Sequence, residues 1–196
     1  RRLTGLARLA MELWFLLICG SVLTTYQHHF IDIPTGLLLG ALCLWAWPFA
    51  DEGKGRAIAA QWQWTRDPAR WRLAALYAAG ALLLGAIAIG SGGWALWLLW
   101  GSVSLLLVAL AYAAIGAAAF QKRADGRLSV AAQWLFAPYR AGAWINSRAW
   151  TWREPQPVPI ADDVYLGRIP GARELAASPF AAVLDLTAEF AMNAGK

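Results

Sequence analysis

All 17 lysines and arginines of this 196-residue chain fall on one side of a pattern of four apolar stretches. The stretches cover residues 6–23, 33–50, 73–89 and 93–120. A helix of about 20 apolar residues crosses the hydrocarbon of a bilayer, so each approaches or meets the length of a span. Arg1, Arg2 and Arg8 lie at the head of the first stretch. Lys54, Arg56, Arg66, Arg70 and Arg72 lie between the second and third, and the other nine follow the fourth. The loops at 24–32 and 91–92 hold none. Cytoplasmic loops retain Lys and Arg. The pattern therefore predicts a mainly α, integral membrane helical bundle of about four transmembrane helices in an inner or plasma membrane. Both ends are then cytoplasmic, and the 24–32 loop faces the periplasm or cell exterior.

Composition agrees. With 59% hydrophobic and 15% charged residues, the chain is too apolar for an ordinary soluble domain of its size. Its formal charge of +5 is scattered among loops instead of gathered into a stripe, which argues against nucleic acid as a partner. Cys19 and Cys43 both lie within apolar stretches and build no disulfide framework. Glu12 and Pro34 interrupt the first two stretches only close to a membrane surface, and Pro is harmless in a helix's first turn. Gly36 and Gly40 form a small-xxx-small face suited to close helix approach.

Four regions follow. Residues 1–50 contain the first two spans, and 51–128 add two more with their loops. Residues 129–159 mix Trp134, Phe136, Tyr139, Trp144, Ile145 and Trp150 with Arg140, Arg148 and Arg153. They read as an amphipathic segment on the inner membrane surface, or as a helix packed on a soluble domain. A stiff linker at Pro155, Pro157 and Pro159 closes this region. In residues 160–196, 163–168 read as a short strand, 171–177 as a helical turn and 181–187 as a buried strand, the start of an incomplete soluble α/β domain. The first and last residues look like cuts through a longer protein.

The chemical signal is concentrated in SVLTTYQHHFIDIPTG, which carries Ser21, His28, His29 and Asp32. A helix beginning near Tyr26 would place His28 and Asp32 four apart on one face. A carboxylate bonded to one imidazole nitrogen fixes the tautomer and leaves the other nitrogen as nucleophile or base. An interfacial hydrogen-bonded pair is the plainer reading of the same two residues. A metal centre is disfavoured, because His28 and His29 project about 100° apart on a helix. No other loop supplies the third and fourth ligands that a stable site needs.

The spacing of Ser21, His28 and Asp32, followed by Gly36 and Gly40, resembles the third signature motif of the type 2 phosphatidic acid phosphatase superfamily. The family's pattern is Ser-Arg, five residues, His, three residues, Asp. The resemblance implies His28 as the nucleophile that forms a phosphohistidine, Asp32 as its orienting partner, and Ser21 as a weaker substrate contact. Val22 departs from the pattern where the family's phosphate-binding Arg is expected, a position that the inositol phosphorylceramide synthase branch also relaxes. The family's first two motifs, including the Ser-Gly-His that supplies the general acid, do not precede Ser21, so the resemblance covers about residues 6–48 and implies that this piece alone is inactive. The tail, with YLGRIP followed by AVLDLT, resembles the junction in bacterial proteins that fuse such a membrane phosphatase to a dual-specificity phosphatase domain. The partners implied are the bilayer and a lipid-phosphate or prenyl-phosphate substrate, with no metal and no cofactor. A non-catalytic membrane anchor for the soluble domain is the alternative, and a small transporter is the least favoured.

Overall fold

The computed structural model describes residues 5–24, 29, 31–48 and 58–191. Among the described residues the chain is mainly helical. Its elements are α1 (Gly5–Thr24), α2 (Asp32–Ala46), a single turn at Ile58–Gln61, α3 (Pro68–Ser91), a tight helical entry (Gly93–Trp97) and α4 (Leu98–Leu110). A widened π turn (Ala111–Ile115) and a narrow 3-10 turn (Gly116–Phe120) follow, then α5 (Val130–Leu135) and α6 (Ala137–Trp150). A two-stranded antiparallel sheet of β1 (Val158–Ala161) and β2 (Val164–Leu166) and the short α7 (Ala172–Ala176) complete the set. Two helices are long and apolar enough to cross a membrane, Pro68–Ser91 and the continuous run Gly93–Phe120. α2 is apolar but spans 15 residues. α1 has 20, and it exposes Leu13, Trp14, Phe15, Leu16 and Leu17 in succession around its whole circumference.

The centre of the fold is the hairpin of α3 and α4, and small residues bring its two backbones together. Ala74, Ala81 and Ala88 recur every seven residues on α3 and are buried, the spacing that keeps one seam facing a neighbouring helix. Ser102 Oγ donates to the Ala81 carbonyl across the seam at 2.7 Å. A Cβ placed on Gly85 would meet Ser102 Oγ at 3.2 Å, and one on Gly101 would meet Leu84 at 3.3 Å. This is the packing of small side chains by which helices associate in lipid. The hairpin reverses at Gly92 and Gly93, whose φ angles of 63° and 53° lie in the left-handed region that glycine occupies without a Cβ penalty.

The far end of the α4 run opens, and the chain before α3 closes it. The carbonyls of Ala111, Ala113 and Ala114 accept from Arg70 Nη2 at 3.3 Å, the Thr65 amide at 2.8 Å and the Gln63 amide at 3.0 Å. Asp67 caps α3 by accepting from the Ala69 amide at 2.8 Å, with Pro68 in the first turn. Past the run, Gln121 takes a left-handed backbone (φ 50°) and links three elements. Its Nε2 donates to the Trp45 carbonyl at 2.6 Å, Trp45 Nε1 donates to the Ala119 carbonyl at 2.7 Å, and Ser129 Oγ donates to Gln121 Oε1. Ser129 also accepts from the Ala132 amide and so caps α5. Leu128, Leu135 and Phe136 are fully buried around this knot.

The amphipathic region expected at 129–159 divides in two. α5 buries Ala131, Ala132 and Leu135 in the core, and Trp134 stacks on Trp100 while its carbonyl accepts from Trp100 Nε1 at 2.9 Å. α6 leaves Trp144, Ile145 and Trp150 exposed, with the Arg148 guanidinium over the Trp144 ring at 4.6 Å.

Two local expectations change. The expected linker ends in strand, since residues 158–161 form β1 with Pro159 inside it; a two-stranded sheet consists of edge strands, where a proline's missing donor is tolerated. The expected buried strand at 181–187 is irregular instead, with Leu184 and Leu186 83% and 78% exposed. Apolar alternation makes a strand only where a partner strand supplies the ladder, and none pairs here among the described residues. The opposite side of the segment is held: Lys122 Nζ donates to Asp185 Oδ2 and to the Thr187 carbonyl, the latter at 2.8 Å.

Replacing Gly85 by Leu should force the hairpin apart and destabilise it by about 1–3 kcal/mol. Gly90→Leu, where an added Cβ would meet nothing within 4 Å, should not; thermal melts in detergent compare the two. The Lys122 tether should respond to acid. Burial raises the Asp185 carboxyl, but hydrogen bonds from Lys122 and from the Thr187 amide and hydroxyl outweigh it and hold the group below its usual range. The tether's contribution is therefore full above the ordinary carboxylate value of about 3.9 and is lost as pH falls through the lower folded value. Hydrogen exchange at the Thr187 amide should show protection that persists through the ordinary carboxylate value of about 3.9 and is released only as pH falls further, through the lower folded value, and Asp185→Ala should lack that protection throughout.

Candidate functional site

The residues singled out in the sequence sit where α1 ends and α2 begins. Ser21 lies in the last turn of α1 and is exposed, with its Oγ donating to the Ile18 carbonyl at 2.8 Å within its own helix. His28 lies outside the described residues. His29 is exposed and non-helical, and Asp32 is the first residue of α2. A helix running unbroken from Tyr26 through Asp32 is therefore not formed, because His29 is non-helical, and the expected pairing of His28 with Asp32 lies outside the described residues.

The Asp32 carboxylate instead folds back on the backbone of His29. Asp32 Oδ2 accepts from the His29 amide at 3.1 Å, while the Asp32 amide donates to the His29 carbonyl at 2.9 Å. The reason is local. An amide left without a partner at a helix start is satisfied by a carboxylate within three residues, and the anion sits favourably at the positive end of the helix. Thr35 Oγ1 donates to the Ile31 carbonyl at 2.7 Å and completes the turn. The arrangement holds the exposed Asp32 carboxylate on the backbone amide of His29. Among the described residues no group of three or more His, Cys, Asp or Glu side chains could hold a metal ion.

The opposite end of α2 is fixed by the Trp45–Ala119 bond. At 1.5 Å per residue, Asp32 stands about 20 Å along the helix axis from that tether. The candidate site and the Arg70, Lys122 and Asp185 group therefore occupy opposite ends of α2. The sequence marks Arg70 and Lys122 only as loop charge and Tyr139 only as part of an amphipathic segment, and it assigns no role to Tyr77, Tyr112 or Glu189. The signal available was three tyrosines within or beside apolar runs, where a hydroxyl needs a partner.

The chain matches no family model, and no curated protein or solved structure is similar to it. What the fold defines is a mainly helical protein with two helices long and apolar enough to cross a membrane.

Because Asp32 starts α2, its structural and chemical roles separate by substitution. Asp32→Asn should keep an acceptor for the His29 amide and leave the melting temperature unchanged. Asp32→Ala should lower stability by about 1 kcal/mol, read by thermal circular dichroism.

Proposed function

We propose that the chain is part of a membrane-embedded lipid-phosphate phosphatase or phosphotransferase of the type 2 phosphatidic acid phosphatase kind, fused to a cytoplasmic dual-specificity phosphatase. The observation that carries the reading is at the start of α2, where the Asp32 carboxylate folds back onto the amide of His29, the neighbour of His28 in sequence. In the mechanism, an unprotonated His28 attacks the substrate phosphorus and the leaving group departs. Asp32 orients the ring and stabilises the charge that develops on it. Water or an acceptor alcohol then takes the phosphoryl group from the histidine. A lipid phosphate or prenyl phosphate suits a site at the mouth of apolar helices, because its headgroup reaches water while its tails stay in hydrocarbon.

The four-span topology belongs to the same proposal. Apart from the exposed Arg8–Glu12 ion pair near its start, α1 is apolar all round, a surface stable in lipid or in a protein core and costly in water. α2 is short for a span, and the tether of Trp45 to Ala119 aligns its last turn with the end of the Gly93–Phe120 run. The charge pattern then puts Arg70, Lys122 and both termini in the cytoplasm, with Asp32 on the outer side.

An anchor without catalysis is the second reading. It is favoured by the Lys122–Asp185 tether, which ties the C-terminal segment to the helical unit independently of the His28 region. Phosphatidate turnover separates the two. In the full-length protein His28→Ala should reduce turnover by about 10²–10⁴-fold, while His29→Ala retains much of it. Undiminished turnover by the His28 variant would favour the anchor.

A further inference from the structure

A cavity of about 190 Å³ lies between the first turn of α3, the opened end of the α4 run, α6 and the C-terminal segment. Its lining includes Arg70, Tyr112, Gly116, Phe120, Tyr139 and Glu189. Three aromatic rings line it, and a fourth, Tyr77, packs on two of them. Tyr77 stacks on Tyr112 with centroids 5.6 Å apart and meets Tyr139 edge-on at 5.8 Å, and Phe120 lies 6.2 Å from Tyr139. Arg70 and Glu189 face the same space without forming an ion pair with each other.

The chemistry of this lining is specific. A guanidinium recognises a phosphate through charge-assisted hydrogen bonds. A carboxylate beside aromatic faces recognises an ammonium, by charge and by the negative ring faces. Burial and then the Glu189 carboxylate hold the Tyr139 hydroxyl well above the ordinary phenol range, so its ring stays neutral beside the ligand. Opposite charges that share a cavity yet stay apart suit a ligand that carries both signs. The volume falls below the range of about 300–1,000 Å³ typical of drug-sized ligands, which fits a headgroup and excludes acyl chains. Those chains have a place outside, since α3 exposes Leu76, Leu82 and Leu83.

We propose that this cavity binds the headgroup of a zwitterionic phospholipid, with the phosphodiester on Arg70 and the ammonium between Glu189 and the tyrosine rings. The π turn makes the space: it widens the helix just where Ala111 and Tyr112 line the cavity, and Gly116 ends it with a φ of 70°. Widened turns of this kind recur at functional sites. Glu189 lies two residues beyond Thr187, which Lys122 holds, so an occupied cavity also fixes the C-terminal segment against the helices. The proposal stands on the cavity and on a membrane setting, and needs no chemistry at His28.

The test is calorimetric titration of the whole chain, in maltoside detergent, with dihexanoyl phosphatidylethanolamine, dihexanoyl phosphatidylglycerol and free phosphoethanolamine. The ethanolamine lipid should bind about tenfold more tightly than the glycerol lipid, the worth of one hydrogen bond to a charged group. Glu189→Gln should abolish that preference while leaving phosphatidylglycerol binding in place, and Arg70→Gln should weaken both lipids. Arg70 also supports the Ala111 carbonyl, so the Glu189 variant decides the matter if the Arg70 variant fails to fold. Equal binding of the two lipids by the parent chain, or an intact preference in Glu189→Gln, would overturn the assignment. Free phosphoethanolamine binding as tightly as its lipid would overturn a lipid as the occupant.

Discussion

The exchange of hydrogen bonds between Trp45 and the 119–121 segment is the constraint on which the arrangement of this chain depends. A helix that loosens amid apolar surroundings leaves carbonyls without partners, and each unsatisfied buried group costs about 1–3 kcal/mol. The Gly93–Phe120 run loosens at its end, so its carbonyls must be met from elsewhere. The indole of Trp45 meets the Ala119 carbonyl, and Gln121 returns a bond to the Trp45 carbonyl. Ser129 then bonds the other side of the same amide and starts α5. One requirement, the satisfaction of backbone groups, thus sets where α2 ends, where the hairpin's second helix stops and where α5 begins. The loop at 63–65 and Arg70 meet the same need one turn earlier.

The helices were legible in the sequence because apolar runs and glycine turns are local signals. The run expected at 73–89 lies inside α3, which extends back to Pro68 because Asp67 can cap it. The run at 93–120 is helical throughout but changes pitch, a feature without a hydropathy signature since alanines fill both the π and the 3-10 turns. The C-terminal region was less legible. AAVLDLT has the composition of a buried strand, yet strand formation is settled by pairing, and the described residues offer this segment a lysine and no ladder. The start of α2 was misplaced for a similar reason. Periodicity could run a helix back to Tyr26, whereas the bond from the His29 amide to Asp32 makes Asp32 the boundary.

Charge is divided between the ends of the molecule in a way that neither helix propensity nor packing requires. The start of α2 carries the Asp32 carboxylate on the His29 amide. The other end gathers Arg70, Lys122, Asp185 and Glu189 around the opened helix. These groups compensate one another there: Lys122 neutralises Asp185, and Arg148 and Arg168 both reach Glu174 at the start of α7. The Gly171 amide and Arg168 hold the Glu174 carboxyl below its usual range, so this anchor of α7 on α6 stays charged at neutral pH.

That division bears on how the two ends could communicate. α2 is a stiff rod of 15 residues between them, with Asp32 at its first position and Trp45 locked at the other end. A shift of the opened turn at 111–120 would therefore reach Trp45 through the Ala119 carbonyl and be carried along the helix to Asp32. Coupling of this kind needs an element with two discrete arrangements, not mere continuity. The π turn is the strongest structural choice for one, since moving a single residue into or out of the turn changes the register of everything after it.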